Sequence, residues 1–138
     1  MSRICGMRTK SLNILVVDDE TAVTASLIVV LRKPDCEVDA VHDGSEALAK
    51  LTESPDRYHI LITDHYMQTV GGLELVEKLR KRSFLGKIIV LSGYLSLELQ
   101  DAYRKLGVDR IIKKPFDLQE IRQAIAELRA QYMREGFD

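Results

Sequence analysis

Residues 14–19 read ILVVDD, four apolar residues followed at once by Asp18 and Asp19. Ile and Val suit a pleated backbone, and a short unbroken apolar run fits a strand buried on both faces. The same device recurs further along. ILIT at 60–63 leads into Asp64, and RIIK at 110–113 leads into Lys114. Charges placed directly after buried parallel strands lie beyond the carboxyl edge of the sheet, which is where such sheets bind ligands.

Working outward from that run, strand and helix patterns alternate. Leu12 to Val17 reads as a strand and Glu20 to Arg32 as a helix, stopped by Pro34, whose ring restricts the residue before it. Cys36 to Val41 is the second strand, and Asp43-Gly44 turns it into a helix over Ser45 to Glu53, ended by Ser54-Pro55-Asp56. Tyr58 to Thr63 is the third strand, and Gly71-Gly72 precedes a helix over Leu73 to Arg82. Lys87 to Leu91 is the fourth strand. Leu95, Leu99, Tyr103 and Leu106 then recur at helical spacing, with Gly107 as the stop. Val108 to Ile112 is the fifth strand, and Asp117 caps a last helix with Ile121, Ala124, Ile125 and Leu128 as its inward stripe. Five β–α units without a repeat predict an α/β fold, a parallel sheet doubly wound with helices on both faces. Residues 1–11 are expected to form an N-terminal tail, 12–131 one domain and 132–138 a C-terminal tail.

That topology gathers Asp18, Asp19, Asp64 and Lys114 into one pocket. Three neighbouring carboxylates repel one another unless a cation joins them, and an oxygen-only donor set favours Mg²⁺. A lysine on the far side supplies fixed positive charge for an anion such as phosphate. Taken singly, the two aspartates could cap the next helix and the lysine could be solvated. Unrelated loops, however, have no reason to place acid, acid and base at three separate strand ends.

Composition narrows the classes. With 138 residues, 46% of them hydrophobic, the chain is long enough to bury a core as one domain. Its 20 Lys and Arg against 21 Asp and Glu give no overall basic field for nucleic acid. No apolar run approaches the roughly 20 residues of a membrane span, so the cytoplasm is the expected compartment. Cys5 and Cys36 show no metal-ligand spacing, and His42, His59 and His65 show no ligand or triad spacing; all five are expected to be incidental.

VVDDE, ITDHYMQTVGG with Gly72 eight residues after Asp64, LSG, and KKPF occur in the order and spacing of the receiver domain of two-component response regulators (CheY-like), which this chain resembles over roughly Leu12 to Leu128. The resemblance implies a flavodoxin-like (βα)5 fold with strand order 2-1-3-4-5. It implies Asp64 as phosphoacceptor and Asp19 as a direct Mg²⁺ ligand. Asp18 would act largely through metal-bound water, and the backbone carbonyl of Tyr66 would complete the protein ligands. Ser92 and Lys114 match positions that contact phosphoryl oxygens, and Pro115 a proline held cis. The protein is then no conventional enzyme but a phosphoacceptor that assists its own phosphorylation and dephosphorylation. Its expected donors are a sensor histidine kinase or a histidine phosphotransfer protein, and its message would leave by protein contact or relay, as a stand-alone receiver with no output domain.

Some positions depart from that family. Gln68 stands where a proline is usual. Ile111 replaces the aromatic residue that usually swings inward on activation, leaving Ser92 and Tyr94 as the other switch candidates. Tyr66 lies where the family tunes dephosphorylation. These departures motivate an alternative, a degenerate receiver that binds a partner without phosphorylation. An aspartyl-phosphate hydrolase is disfavoured because Tyr66 stands where its second acid belongs. Finally, ETAVTASLIVVLRK at 20–33 is apolar nearly all round. Val23, Leu27, Val30 and Leu31 are expected to face the sheet, while Ala22, Ala25, Ile28 and Val29 fall on other faces. Because kinases dock on the first helix of receivers, Ala22, Ala25 and Val29 are expected to form an apolar docking or homodimer patch; scattered exposed apolar residues are the plainer alternative.

Overall fold

In the computed structural model, which describes residues 11–135, the run Ile14 to Val17 is at most 1% exposed throughout. Ile14 and Val16 pack on one face of the sheet, Leu15 and Val17 on the other. This is the side-chain alternation of a strand carried through a slab with two cores. The elements are β1 (Leu12–Val17), α1 (Thr21–Leu31), β2 (Cys36–Val41), α2 (Gly44–Glu53), β3 (Ile60–Asp64), α3 (Gly72–Lys81), β4 (Lys87–Ser92), α4 (Leu97–Lys105), β5 (Arg110–Lys113) and α5 (Leu118–Arg134). All pairings in the sheet are parallel, in the order β2-β1-β3-β4-β5.

Helices α1 and α5 close one face through Leu27, Leu31, Ile121, Ala124, Ile125 and Leu128. Helices α2, α3 and α4 close the other through Ala47, Leu51, Leu75, Val76, Leu79 and Tyr103. The chain winds away from β1 in both directions, so the crevice between the ends of β1 and β3 is the point where the topology reverses, and Asp18 and Asp64 stand there.

Local chemistry sets the helix ends. Asp43 accepts from the Glu46 amide at 2.8 Å, Ser96 from that of Leu99 at 3.2 Å and Asp117 from that of Gln119 at 2.9 Å. Helix α1 lacks such a cap, because Glu20 at its N-cap position directs its side chain elsewhere. Gly107 takes φ +79°, ending α4 where a side chain would be strained, and its amide bonds the Arg104 carbonyl at 2.9 Å. Arg80 ties α3 to this turn, donating to the carbonyls of Leu106 at 2.7 Å, Phe84 at 2.7 Å, Gly107 at 3.0 Å and Gly86 at 3.2 Å.

Several boundaries shift from expectation. β3 starts at Ile60 and β5 at Arg110, because Tyr58 and Val108 pack into the core from the preceding loops. Helix α4 starts at Leu97, after the Ser96 cap, although Leu95 is buried ahead of it. Helix α5 extends to Arg134, with Tyr132 against His59 and Glu135 paired to Lys87 at 3.1 Å. On α1 the inward face includes buried Thr24, and Ile28 packs against the core rather than facing away. Cys36 is buried, and Cys5 lies outside the described residues.

Ile62, 0% exposed in the central strand, reports on the sheet as a whole. Ile62→Ala should lower unfolding free energy by about 2–5 kcal/mol, read from urea midpoints at unchanged slope.

Candidate functional site

Asp18 follows the last residue of β1, and its side chain is fully buried. A carboxylate there needs partners, and it has two. Its Oδ1 accepts from the Glu20 amide at 2.9 Å, and its Oδ2 accepts from Lys114 Nζ at 3.0 Å. Asp64 closes β3, where β1 and β4 flank it, and is 6% exposed. Lys114 follows β5 at the far edge of the sheet, and its ammonium reaches back to within 3.2 Å of Asp64 Oδ1. Asp19 is exposed at the rim. One carboxylate oxygen from each of Asp18, Asp19 and Asp64 lies within 4.8 Å of the others. The Lys114–Pro115 peptide is cis, as expected.

Electrostatics follow from this packing. Burial is the largest influence on Asp64 and raises its pKa, the charge of Asp18 raises it further, and Lys114 opposes both. Burial works against the charge on Lys114, but the bond to Asp18 and the charges of Asp18 and Asp64 more than offset it, so its pKa is raised and it stays an ammonium. Glu20 Oε1 stands 3.5 Å from the same ammonium. Three carboxylates therefore face a single lysine, with Asp19 beside two of them at the rim. That surplus of negative charge, carried on hard oxygen donors, fits a Mg²⁺ ion held by Asp18, Asp19 and Asp64.

The remaining expected residues sit around this centre in different states. Ser92 ends β4, is buried, and donates its hydroxyl to the Tyr94 carbonyl at 3.2 Å. Tyr94 and Tyr66 project outward, 76% and 68% exposed. Ile111 packs half-buried against the core beside a cavity of about 520 Å³ that Ser92, Tyr94 and Arg104 also line. Sequence reasoning took Glu20 only as the start of a helix, although it continues the acidic run that marks the site. It also took His65 as incidental. His65 is engaged: its Nδ1 is hydrogen-bonded to the hydroxyl of buried Tyr103, and its ring meets that of Tyr66 edge-on at 4.6 Å.

A parallel 2-1-3-4-5 sheet with acids beyond β1 and β3 and a lysine beyond β5 defines a class of signalling domain, and comparison with known proteins specifies it. The sequence profile of the response regulator receiver domain matches residues 14–126. The response regulator MprA of Mycobacterium bovis is 36% identical over 124 residues, covering 90% of this chain and 52% of that protein. The transcriptional regulatory protein TrcR of Mycobacterium tuberculosis is 31% identical over 126 residues, covering 91% and 47%. Among solved structures, a CheY-like receiver domain protein from Methanospirillum hungatei superposes with a TM-score of 0.84 at 29% identity, covering 91% of this chain and 99% of that one. A Vibrio cholerae chemotaxis protein does so at 0.77 and 26%, covering 86% and 98%. The chain belongs to the response regulator receiver domain family, the phosphoacceptor signalling module of two-component systems. It spans about half the length of the curated relatives that it matches. Among the described residues no helix is long and apolar enough to cross a membrane.

The raised Asp64 pKa has a consequence for stability. A carboxyl whose folded pKa exceeds its unfolded value weakens the fold at pH above the folded pKa, and the penalty vanishes below the unfolded one. Asp64→Asn should therefore raise the urea midpoint in EDTA at neutral pH. The gain should shrink as pH falls through the raised pKa, where the native carboxyl carries its own proton, and should shrink likewise in saturating Mg²⁺. An Asn variant less stable than the native protein in neutral EDTA would show that the carboxylate cluster is not under repulsion.

Proposed function

We propose that the chain accepts a phosphoryl group on Asp64 from a phosphohistidine, on a sensor histidine kinase or a histidine phosphotransfer protein, and signals by phosphorylation-dependent protein contact or relay. The observation that carries this reading is the position of Lys114 Nζ, 3.2 Å from Asp64 Oδ1 and 3.0 Å from Asp18 Oδ2. An Asp64 oxygen forms a bond to phosphorus while the P–N bond to the donor imidazole breaks. A carboxylate is a weak nucleophile, so the gain comes from alignment and effective concentration, not from basicity. Lys114 remains charged and faces the oxygens on which charge spreads in the transition state. Asp18, Asp19 and Asp64, with the Tyr66 backbone carbonyl, would hold Mg²⁺. When bound, the ion supplies further neutralisation of the phosphoryl oxygens. Later attack of water on the acyl phosphate limits the lifetime of the signal.

Ser92 is the group whose state must change. For its hydroxyl to reach a phosphoryl oxygen it has to leave the Tyr94 carbonyl, which draws on the loop from Ser92 to Leu95. Ile111 has no polar tip with which to follow that movement, so the response is assigned to the Ser92–Tyr94 loop. On the other side of the site, α1 turns Ala22, Ala25 and Val29 outward, the last 79% exposed, and its first turn follows the loop that carries Asp18 and Asp19. This face is proposed as the docking surface for the donor. The cytoplasm, where such donors present their phosphohistidine, is the proposed compartment.

Mg²⁺ and acetyl phosphate should add one phosphoryl group to the native protein and none to Asp64→Asn; equal labelling of both would overturn the assignment. Ala25→Glu should leave acetyl phosphate labelling intact while slowing transfer from a phosphorylated kinase about tenfold or more, since it places a charge in an apolar contact. Retained partner binding by a native protein that cannot be labelled would favour the phosphorylation-independent binding module. Ile111→Ala should keep phosphorylation-dependent changes, with amide shifts on adding beryllofluoride concentrated at residues 92–95.

A further inference from the structure

Among the described residues Tyr103 is the bulkiest fully buried side chain, and it lies on α4, at 0% exposure. A buried phenol needs a partner for its hydroxyl, and here that partner is Nδ1 of His65, the residue directly after Asp64. The backbone of His65 is pinned as well. Its amide donates to the Leu91 carbonyl at 3.0 Å, and its carbonyl accepts from the Gly72 amide at 2.9 Å. Gly72 makes the room: a Cβ there would lie 2.6 Å from the Asp64 carbonyl oxygen and 2.8 Å from the Tyr103 hydroxyl. The absence of that one carbon lets a side chain of α4 reach the underside of the strand-end loop. The His65 ring then meets Tyr103 edge-on at 5.6 Å and Tyr66 at 4.6 Å, so three rings run from the core to the rim of the site.

We propose that Tyr103 is a positioning residue for the phosphoacceptor loop, holding through His65 the backbone that carries Asp64 and the Tyr66 carbonyl, and fastening that loop to α4. The proposal rests on the reading of Asp64 as phosphoacceptor. The chemistry of the bond is set by its surroundings. Burial first, and then the charge of Asp64, push the Tyr103 phenol up, while burial pushes His65 down. The geometry joins the Tyr103 hydroxyl to Nδ1 of His65, and a phenol that donates there leaves the imidazole proton on Nε2. A tyrosine that merely fills the core would affect stability alone. A tyrosine that positions the loop must also affect what the loop binds, with stability set aside.

Tyr103→Phe keeps the ring and deletes only the bond. Outer groups that orient metal ligands usually change affinity by about 10–100-fold, and one acting through a neighbouring backbone should give about 3–10-fold weaker Mg²⁺ binding, read by calorimetric titration. Labelling by acetyl phosphate at saturating Mg²⁺ should fall by a similar factor, and the His65 Nδ1 ¹⁵N shift should move to that of an unbonded imidazole. His65→Phe should give the same two losses, and the double variant should be no worse than either single one, because both remove the same bond. Mg²⁺ affinity in folded Tyr103→Phe that equals the native value, or losses that multiply in the double variant, would overturn the proposal. Should Tyr103→Phe fail to fold, His65→Phe carries the same expectation and the same refutation. A native protein that resists labelling altogether would refute the phosphoacceptor reading instead, and the Mg²⁺ titrations and the ¹⁵N shift would still decide the role of Tyr103.

Discussion

One ammonium group holds the functional edge of this sheet together. Lys114 Nζ reaches from the end of β5 to Asp64 at the end of β3 and to Asp18 after β1, with Glu20 on its outer side. Asp18 is completely buried, a position that a carboxylate occupies only when paired. The parallel sheet makes the convergence unavoidable, because every strand points its carboxyl end the same way. The strand order then decides which ends are neighbours. What the lysine leaves uncompensated is a surplus of carboxylate, an arrangement that fits a divalent cation.

Much of this was legible in the chain itself, for physical reasons. Apolar runs such as ILVV and ILIT are short and β-branched, so their type was clear, and the charge that follows each one marked its exit from the core. The strand order came from resemblance, and the parallel pairings bear it out. Boundaries were less clear. Tyr58 is buried and Val108 is half-buried against the core, yet both stand outside the strands, because loops as well as strands feed the core. Helix α5 continues to Arg134 because Tyr132 and Lys87 give its last turn something to pack against, a contact between residues far apart in sequence.

The same limit hid His65 and Tyr103. Along the chain His65 is a lone histidine, and Tyr103 is one member of a helical stripe whose other members are leucines. Only folding shows that Gly72 clears a path between them. Glu20 was hidden differently. It looked like the first residue of a helix, and it does occupy the N-cap position of α1, but its carboxylate reaches Lys114 instead of capping the backbone. A residue in a capping position that makes no cap is a sign that its side chain serves another purpose. Ser92 shows the reverse case: its place at the end of β4 was expected, but its bond to the Tyr94 carbonyl, which defines its resting state, depends on loop geometry.

The central claim is that the carboxylate beside Lys114 carries the phosphoryl group, and the most direct measurement is chemical trapping of the acyl phosphate. The protein is phosphorylated, treated with borohydride, which reduces an acyl phosphate to an alcohol, and digested for mass spectrometry. The account predicts homoserine at position 64 and unmodified aspartate at positions 18 and 19. Homoserine at either of those positions, with residue 64 left as aspartate, would contradict it.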